Sequence, residues 1–285
     1  MISIQKIIKA TCQCLVQAGT TYREDQFSAF QKAIDAETSV NARWALEQMM
    51  ENARIAKNER LPLCDDTGIP HVIVGVGETC NLPGGWLEAV HEGIVQGLRE
   101  MPGRPMAVRG DDIQRMEQSA GLDPDPGALE CAPVVIRRRA GSELELTVLL
   151  LGGGPEIRAR TRRIFHRRSI EHVVDEAAGW LAEEIGSLGC TPAVPAIGIG
   201  RSQVEASALM LEAMAEGGLD VQSELEQRIT ARINQTQVGP LGLGGNCTAL
   251  GCFLKIGPAR ASGVRIVSAR PCCLVEPRRA TVRLG

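Results

Sequence analysis

The spacing of apolar residues changes along this chain of 285 residues, and the change limits the folds that are open to it. Near the N-terminus, Ile4, Ile7, Ile8 and Leu15 recur at the spacing of one helix face. Residues 71–76 (HVIVGV) instead alternate with β-branched side chains, as a strand does. Because helical segments come first and strand-like segments follow, the sequence predicts an α+β fold with mixed or antiparallel sheets surrounded by helices.

No linker interrupts this pattern, so one domain is predicted over residues 1–285, helical over about residues 1–60 and α+β over about residues 61–285. Helices are predicted over residues 1–20, 42–57, 87–100, 171–186, 203–215 and 224–233. Strands are predicted over residues 71–76, 131–137, 144–151 and 193–199. A polar turn between the second and third of these strands predicts a hairpin, while residues 111–127 read as a polar loop and residues 158–168 as a basic surface.

Composition excludes several classes of function. Aromatic residues make up only 3% of the chain, so its core must be aliphatic. A net charge of -3 does not favour nucleic acid or an anionic membrane as the main partner. No segment approaches the roughly 20 apolar residues that span a bilayer, and no leader is visible, so a cytosolic protein is predicted.

Ten cysteines require an explanation in a cytosolic chain, where disulfides are rare and metal binding or catalysis is the better expectation for some. Cys12, Cys14, Cys131 and Cys252 lie among apolar residues and are predicted to be small buried side chains. Zinc is a weaker hypothesis, because zinc ligands usually occur as Cys-x-x-Cys pairs and this chain has none.

Two short loops carry groups suited to chemistry. Residues 64–68 (Cys-Asp-Asp-Thr-Gly) place a cysteine beside two carboxylates, although an Asp-rich turn closed by Gly68 would also explain them. Residues 152–154 are three glycines, whose amides can approach an anion closely, although a flexible turn is an equal alternative. Further along the chain come Cys190-Thr191-Pro192, a glycine-rich loop over residues 239–246, and Cys272-Cys273 followed by Arg278-Arg279.

Taken in order, these segments resemble the α subunit of the class I, iron–sulfur fumarate hydratase and L-tartrate dehydratase family. The resemblance covers about residues 40–283. Asn52-Ala53 followed by residues 61–68 is similar to the family's helix ending in Asn-Ala and its Cys-Gln-Asp-Thr-Gly loop, and residues 152–156 are similar to its Gly-Gly-Gly-Ser-Glu loop. Residues 190–192 are similar to its Cys-Pro-Pro, and residues 238–250 to its Gly-Pro-Gln-Gly-Leu-Gly-Gly segment. Arg278-Arg279-Ala280 is similar to the basic pair after its last cysteine.

This resemblance implies a [4Fe–4S] cluster held by three cysteines: Cys64, Cys190 and either Cys272 or Cys273, with a slight preference for Cys272. Three protein ligands rather than four leave one iron open as a Lewis acid, which suits the removal of a hydroxyl. The implied reaction is therefore the reversible addition of water at a small hydroxy-dicarboxylate related to malate or tartrate.

The resemblance also implies the site residues. Asp66 and Thr67 match the aspartate and threonine beside the first ligand, and together with Arg109 they are the candidate catalytic residues. Asp66 is the candidate acid, base or substrate-positioning group, with capping of its own turn as the alternative. Arg109 is the candidate for gripping a substrate carboxylate, with a surface arginine as the alternative. The remaining candidates for substrate contact are Asp65, Gly152, Gly153, Gly154 and Arg260.

Three departures from the family bear on substrate and activity. Asp65 stands where the family has glutamine, and Leu151 where it often has lysine. The family's histidine is missing from residues 258–262, where Arg260 is nearest, and an arginine cannot shuttle protons. The substrate could therefore be a different hydroxy acid, or the activity could be lost. A non-catalytic cluster-binding scaffold subunit is accordingly the alternative function. The resemblance further implies a separate β-type partner chain that completes the site in an α₂β₂ assembly.

Overall fold

The computed structural model describes residues 2–285, in which helices alternate with the strands of two sheets. The helices are α1 (Ile4–Thr20), α2 (Glu24–Ala36), α3 (Val40–Glu59), α4 (Trp86–Glu100), α5 (Asp112–Glu117), α6 (Gly153–Glu156), α7 (Ile170–Gly186), α8 (Gln203–Glu216) and α9 (Glu224–Asn234). The strands are β1 (Ile69–Gly77), β2 (Val135–Arg139), β3 (Leu144–Leu151), β4 (Arg160–Phe165), β5 (Ala196–Gly200), β6 (Phe253–Ile256), β7 (Val264–Arg270) and β8 (Arg278–Leu284). Both sheets are mixed and accompanied by helices, which confirms the predicted α+β class.

The residues divide into two units, each built from separate parts of the chain. The first unit takes the chain up to Tyr22, then Ala53–Gly153 and Arg278–Gly285. The second unit takes Arg23–Asn52 and Gly154–Pro277. The expectation of one domain stays a prediction.

The first unit contains a sheet in the order β2-β1-β3-β8. Helix α1 packs against β3 and β8 of this sheet, and α4 packs against α1. Strand β1 is parallel to β2 and antiparallel to β3, and β3 is antiparallel to β8. The core is almost entirely aliphatic, as the scarcity of aromatic residues requires; its fully buried members include Ile7, Leu15, Ile94, Leu98, Val72, Val74, Leu144, Leu146 and Val148.

The predicted hairpin between residues 131–137 and 144–151 is wrong, because β1 lies between β2 and β3. Ile73 of β1 pairs with Val135, and Val72 pairs with Val148. Strand β1 is mostly buried, so it needs a neighbour on both sides, whereas β2 (VIRRR) is largely exposed and suits an outer position.

The second unit is a sheet in the order β4-β7-β5-β6, with α8 packed on β5. Every residue of β5 is buried, in agreement with the predicted buried strand over residues 193–199. The basic segment contains the outer strand β4, which the sequence pattern missed because only Ile164 of its six residues is buried. Because the consecutive residues Arg162 and Arg163 are both exposed, β4 does not show the alternation of apolar and polar residues that identifies a strand.

Capping groups set the helix boundaries. The hydroxyl of Ser39 accepts a hydrogen bond from the amide of Ala42 at 3.5 Å, so α3 begins at Val40, two residues before the predicted start. Within the predicted loop over residues 111–127, Asp111 and Gln114 form a capping box that starts the short helix α5, so that prediction is wrong there. No helix of the described residues is long and apolar enough to cross a membrane.

Candidate functional site

The Cys64 loop (residues 64–68) joins the end of the α3 segment to β1 in the first unit. Cys64 is half-buried, and Gly68 adopts the left-handed backbone conformation, with φ of 78°. A β-carbon at Gly68 would lie 2.5 Å from Nη2 of Arg278 and 3.0 Å from the Leu151 amide nitrogen. Glycine is therefore required at this position both by conformation and by space.

Asp66 connects this loop to the triple-glycine segment. Its Oδ1 accepts a hydrogen bond from the Gly68 amide at 3.0 Å, and its Oδ2 accepts one from the Gly153 amide at 2.7 Å. The buried guanidinium of Arg278 donates to the Asp66 carbonyl oxygen at 2.7 Å. Asp66 thus holds two loops together, and Arg278 is an anchoring residue whose position the sequence pattern did not predict.

The neighbours of Asp66 are both tied to Arg104. Thr67 is 2% exposed, and its hydroxyl donates to the carbonyl oxygen of Arg104 at 2.8 Å. The exposed carboxylate of Asp65 pairs with the Arg104 guanidinium at 3.0 Å. Arg104 was missed because an isolated arginine in a Pro- and Gly-containing loop carries no distinguishing pattern.

The triple-glycine segment lies at the start of α6. Gly152 is buried, while Gly153 and Gly154 are exposed and begin the helix. One of the three amides predicted to contact a substrate anion, that of Gly153, is occupied by Asp66. The assignment of these glycines to substrate binding stays a prediction.

Two predicted substrate-binding arginines are exposed. Arg109 lies in the segment between α4 and α5, where its amide donates a hydrogen bond to the Gly121 carbonyl at 3.0 Å. Arg260 lies in the second unit, in the segment between β6 and β7. Neither guanidinium forms an ion pair with a carboxylate of the described residues. Each therefore retains a positive charge that a carboxylate ligand could neutralise.

In the second unit the Cys190 segment lies beside the Cys272–Cys273 segment. The Leu274 amide donates to the Cys190 carbonyl at 3.0 Å, and the Val194 amide donates to the Cys272 carbonyl at 3.0 Å. These two bonds continue the antiparallel pairing in which Ala196 of β5 faces Arg270 of β7. The structure thus brings together two of the predicted ligand segments.

Both of the adjacent cysteines are buried, and only Cys273 retains a small exposed fraction. Cys272 is fully buried, and its thiol lies 3.5 Å from the sulfur of Met214. Burial, reinforced by the nearby carboxylate of Glu276, raises the pKa of the Cys272 thiol well above its usual range. Cys273 is 8% exposed and Cys190 is exposed. The preference for Cys272 as a ligand stays a prediction.

None of the ten cysteines, all of which the structure describes, forms a disulfide. Cys12, Cys14 and Cys252 are buried as predicted, whereas Cys131 is only half-buried. Burial raises the pKa of Cys14 to about 12 and that of Cys131 to about 11. Among residues 2–285, no three His, Cys, Asp or Glu side chains are grouped so that they could hold a metal ion.

The sequence pattern missed a buried ion-pair network beside Cys272–Cys273. Arg270 and Glu276 are both fully buried and pair with each other, and Arg270 also pairs with Glu156. The only available signal was an arginine and a glutamate flanking the two cysteines, and a sequence does not say which of its charges are buried.

Comparison with known proteins places the chain in the hydro-lyase class. The family described as "Fumarate hydratase (Fumerase)" matches residues 8–283, and the chain belongs to that family. The predicted resemblance is confirmed at this level.

Curated relatives carry a more specific name. The chain is 27% identical to a Methanocaldococcus jannaschii protein named "Putative L(+)-tartrate dehydratase subunit alpha", over 98% of each chain. It is 23% identical to an Escherichia coli (strain UTI89) protein named "L(+)-tartrate dehydratase subunit alpha", over 99% of this chain and 92% of the relative.

Proposed function

We propose that this chain is the α-type subunit of an iron–sulfur hydro-lyase acting on a small hydroxy-dicarboxylate of the malate or tartrate type. The observation that carries the proposal is the family match across residues 8–283, which includes all of the cysteine segments. The names of the relatives support a separate β-type partner, and we propose an α₂β₂ assembly. The absence of disulfides among the ten cysteines supports a reducing compartment such as the cytosol.

The proposed ligands of a [4Fe–4S] cluster are Cys64, Cys190 and Cys273, with Cys272 as the alternative third ligand. The donor set fits such a cluster, because thiolates are its usual ligands, Cys64 and Cys190 reach solvent, and Cys273 lies on the chain that adjoins Cys190. Bound by three thiolates, the cluster supplies a Lewis acid that makes a hydroxyl a better leaving group.

The chain's own residues bind the substrate and handle its proton. Dehydration breaks a C–O bond and a neighbouring C–H bond, so hydroxide and a proton leave together as water. Arg109 and Arg260 are exposed cations suited to the two substrate carboxylates. Asp66 is a carboxylate fixed by two amides, which suits it to hold a proton or a substrate hydroxyl at a set position.

Anaerobic purification with the β-type chain tests this function. We expect about four irons per α chain, as one cubane cluster requires, together with turnover of malate, tartrate or a related hydroxy acid. The matched control is Cys80→Ser, which should keep both properties, whereas Cys64→Ser should lose both. A preparation that holds iron but turns over no hydroxy acid would support the scaffold alternative, and one without iron would overturn the proposal.

A further inference from the structure

Arg270 is a fully buried cation placed between two carboxylates in the second unit. Its Nη2 lies 3.1 and 3.2 Å from the two carboxylate oxygens of Glu276, and its Nε lies 3.3 Å from one of them. Its Nη1 donates to Glu156. Arg270 and Glu276 are both inaccessible to solvent, whereas the Glu156 side chain is 57% exposed.

A buried ion pair is weak evidence for stability, because removing two charges from water offsets most of their attraction. Its stronger effect is geometric, since a guanidinium is a rigid planar fork that fixes the carboxylates it binds. The guanidinium of Arg270 can therefore hold in place the two parts of the chain that carry Glu276 and Glu156.

Glu276 closes a turn that begins at Cys273, because the Glu276 amide donates to the Cys273 carbonyl at 2.9 Å. Within the same turn the Leu274 amide donates to the Cys190 carbonyl. Glu156 is the last residue of α6 and lies two residues after Gly154, the last of the three glycines. Arg270 thus links the turn that carries Cys273, and that contacts Cys190, to the end of α6.

We propose that Arg270 is a positioning residue, which fixes the Cys273 turn against Cys190 and against α6 through Glu276 and Glu156. The proposal deepens the proposed function and rests on it only for the role of the two cysteines as ligands. The linkage itself is a property of the polypeptide and can be measured with or without iron.

The test compares Arg270→Lys and Glu156→Gln with Arg228→Lys in the full-length chain purified with its β-type partner. Lysine keeps the charge but cannot bridge two carboxylates as the fork does. Arg228 is the matched control, because it binds Asp175 through Nε and Nη2 at 2.9 and 2.7 Å and both side chains of this pair are 48% exposed.

Two readouts are used: hydrogen exchange of the peptide covering residues 272–277, and the electron paramagnetic resonance spectrum of the reduced cluster. We expect exchange to accelerate roughly tenfold in Arg270→Lys, as losing a charge-assisted hydrogen bond would produce, and by about threefold in Glu156→Gln. Both variants should alter the spectrum, and Arg228→Lys should alter neither readout.

Wild-type exchange in both variants would overturn the proposal. If Arg270→Lys does not fold, Glu156→Gln decides alone, because its side chain is largely exposed and its replacement is isosteric. If the wild-type complex holds no iron, the proposed function fails, and hydrogen exchange still decides whether Arg270 positions the turn.

Discussion

Two adjacent cysteines, both buried but to different extents, show how much a single position decides in this protein. Cys272 lies in the interior against Met214, while Cys273 begins the turn that contacts the Cys190 segment. A metal ligand must be deprotonated and reach the metal, whereas full burial beside the Glu276 carboxylate disfavours the thiolate of Cys272. The same dipeptide can therefore serve packing with one sulfur and metal binding with the other.

Serine substitutions separate these roles. We expect Cys273→Ser to reduce iron after anaerobic reconstitution from about four per chain to well below one. Cys272→Ser should retain the iron but lower the free energy of unfolding by about 1–3 kcal/mol, because it replaces a fully buried thiol packed against Met214 with a more polar hydroxyl. Iron and sulfide analysis with chemical denaturation measures both effects, and the reverse pattern would identify Cys272 as the ligand.

The candidate site could be predicted from sequence only where a residue of a type suited to metal binding or catalysis stands in a recognisable local segment. Cys64 and Cys190 stand in recognisable segments, and Asp66 stands beside the first of them. Arg270 could not be found, because its role depends on burial and on Glu156, which is 114 residues away in the chain. Long-range pairs between charged residues leave no local pattern.

At the level of elements, helices followed from the sequence while strand pairing did not. Capping residues and helical spacing are local, so the helix over residues 42–57 was placed close to the observed α3 (Val40–Glu59). Pairing is non-local, and β1 separates two strands that a short turn connects. Sequence proximity therefore predicted the wrong neighbours even where it located strands.

Glu37 fixes the glycine-rich loop in the second unit and gives a test at this scale. Its side chain accepts hydrogen bonds from the amides of Thr38, Ser39 and Asn246 at 2.9, 3.1 and 2.8 Å. Although burial alone would raise it, these hydrogen bonds lower the pKa of Glu37. The ionised carboxylate thus joins the start of α3 to the chain that follows residue 245.

We expect Glu37→Gln to lower the free energy of unfolding by about 1–3 kcal/mol at pH 7, since an amide cannot accept all of these hydrogen bonds. Because the folded pKa is lowered, the wild-type contribution is present above the usual glutamate pKa near 4.5 and is lost as pH falls below it. Urea denaturation at pH 7 and pH 4 should therefore show the two proteins converging in acid. A constant difference would contradict this account.

At the level of the whole molecule, the proposed function depends on a second polypeptide. Arg109 and Arg260 are exposed cations without a carboxylate partner among the described residues. Arginines that lack a carboxylate partner are suited to bind an anionic ligand or to contribute to a site that a partner chain completes at an interface.

Native mass spectrometry of the co-expressed proteins tests the assembly. We expect a complex with two copies of this 30.6-kDa chain and two of the β-type chain. Turnover should require both chains, because the family resemblance places further substrate-binding groups on the partner. Activity of this chain alone would show instead that it contains the whole site.

The position of β8 has a consequence for biosynthesis. This strand covers the outer side of β3, yet a ribosome adds it only after every residue of the second unit has been made. Until then the apolar β3 would present unpaired backbone groups to other nascent chains. The first unit therefore completes its sheet late in translation, and premature release before residue 278 would yield a product prone to aggregation.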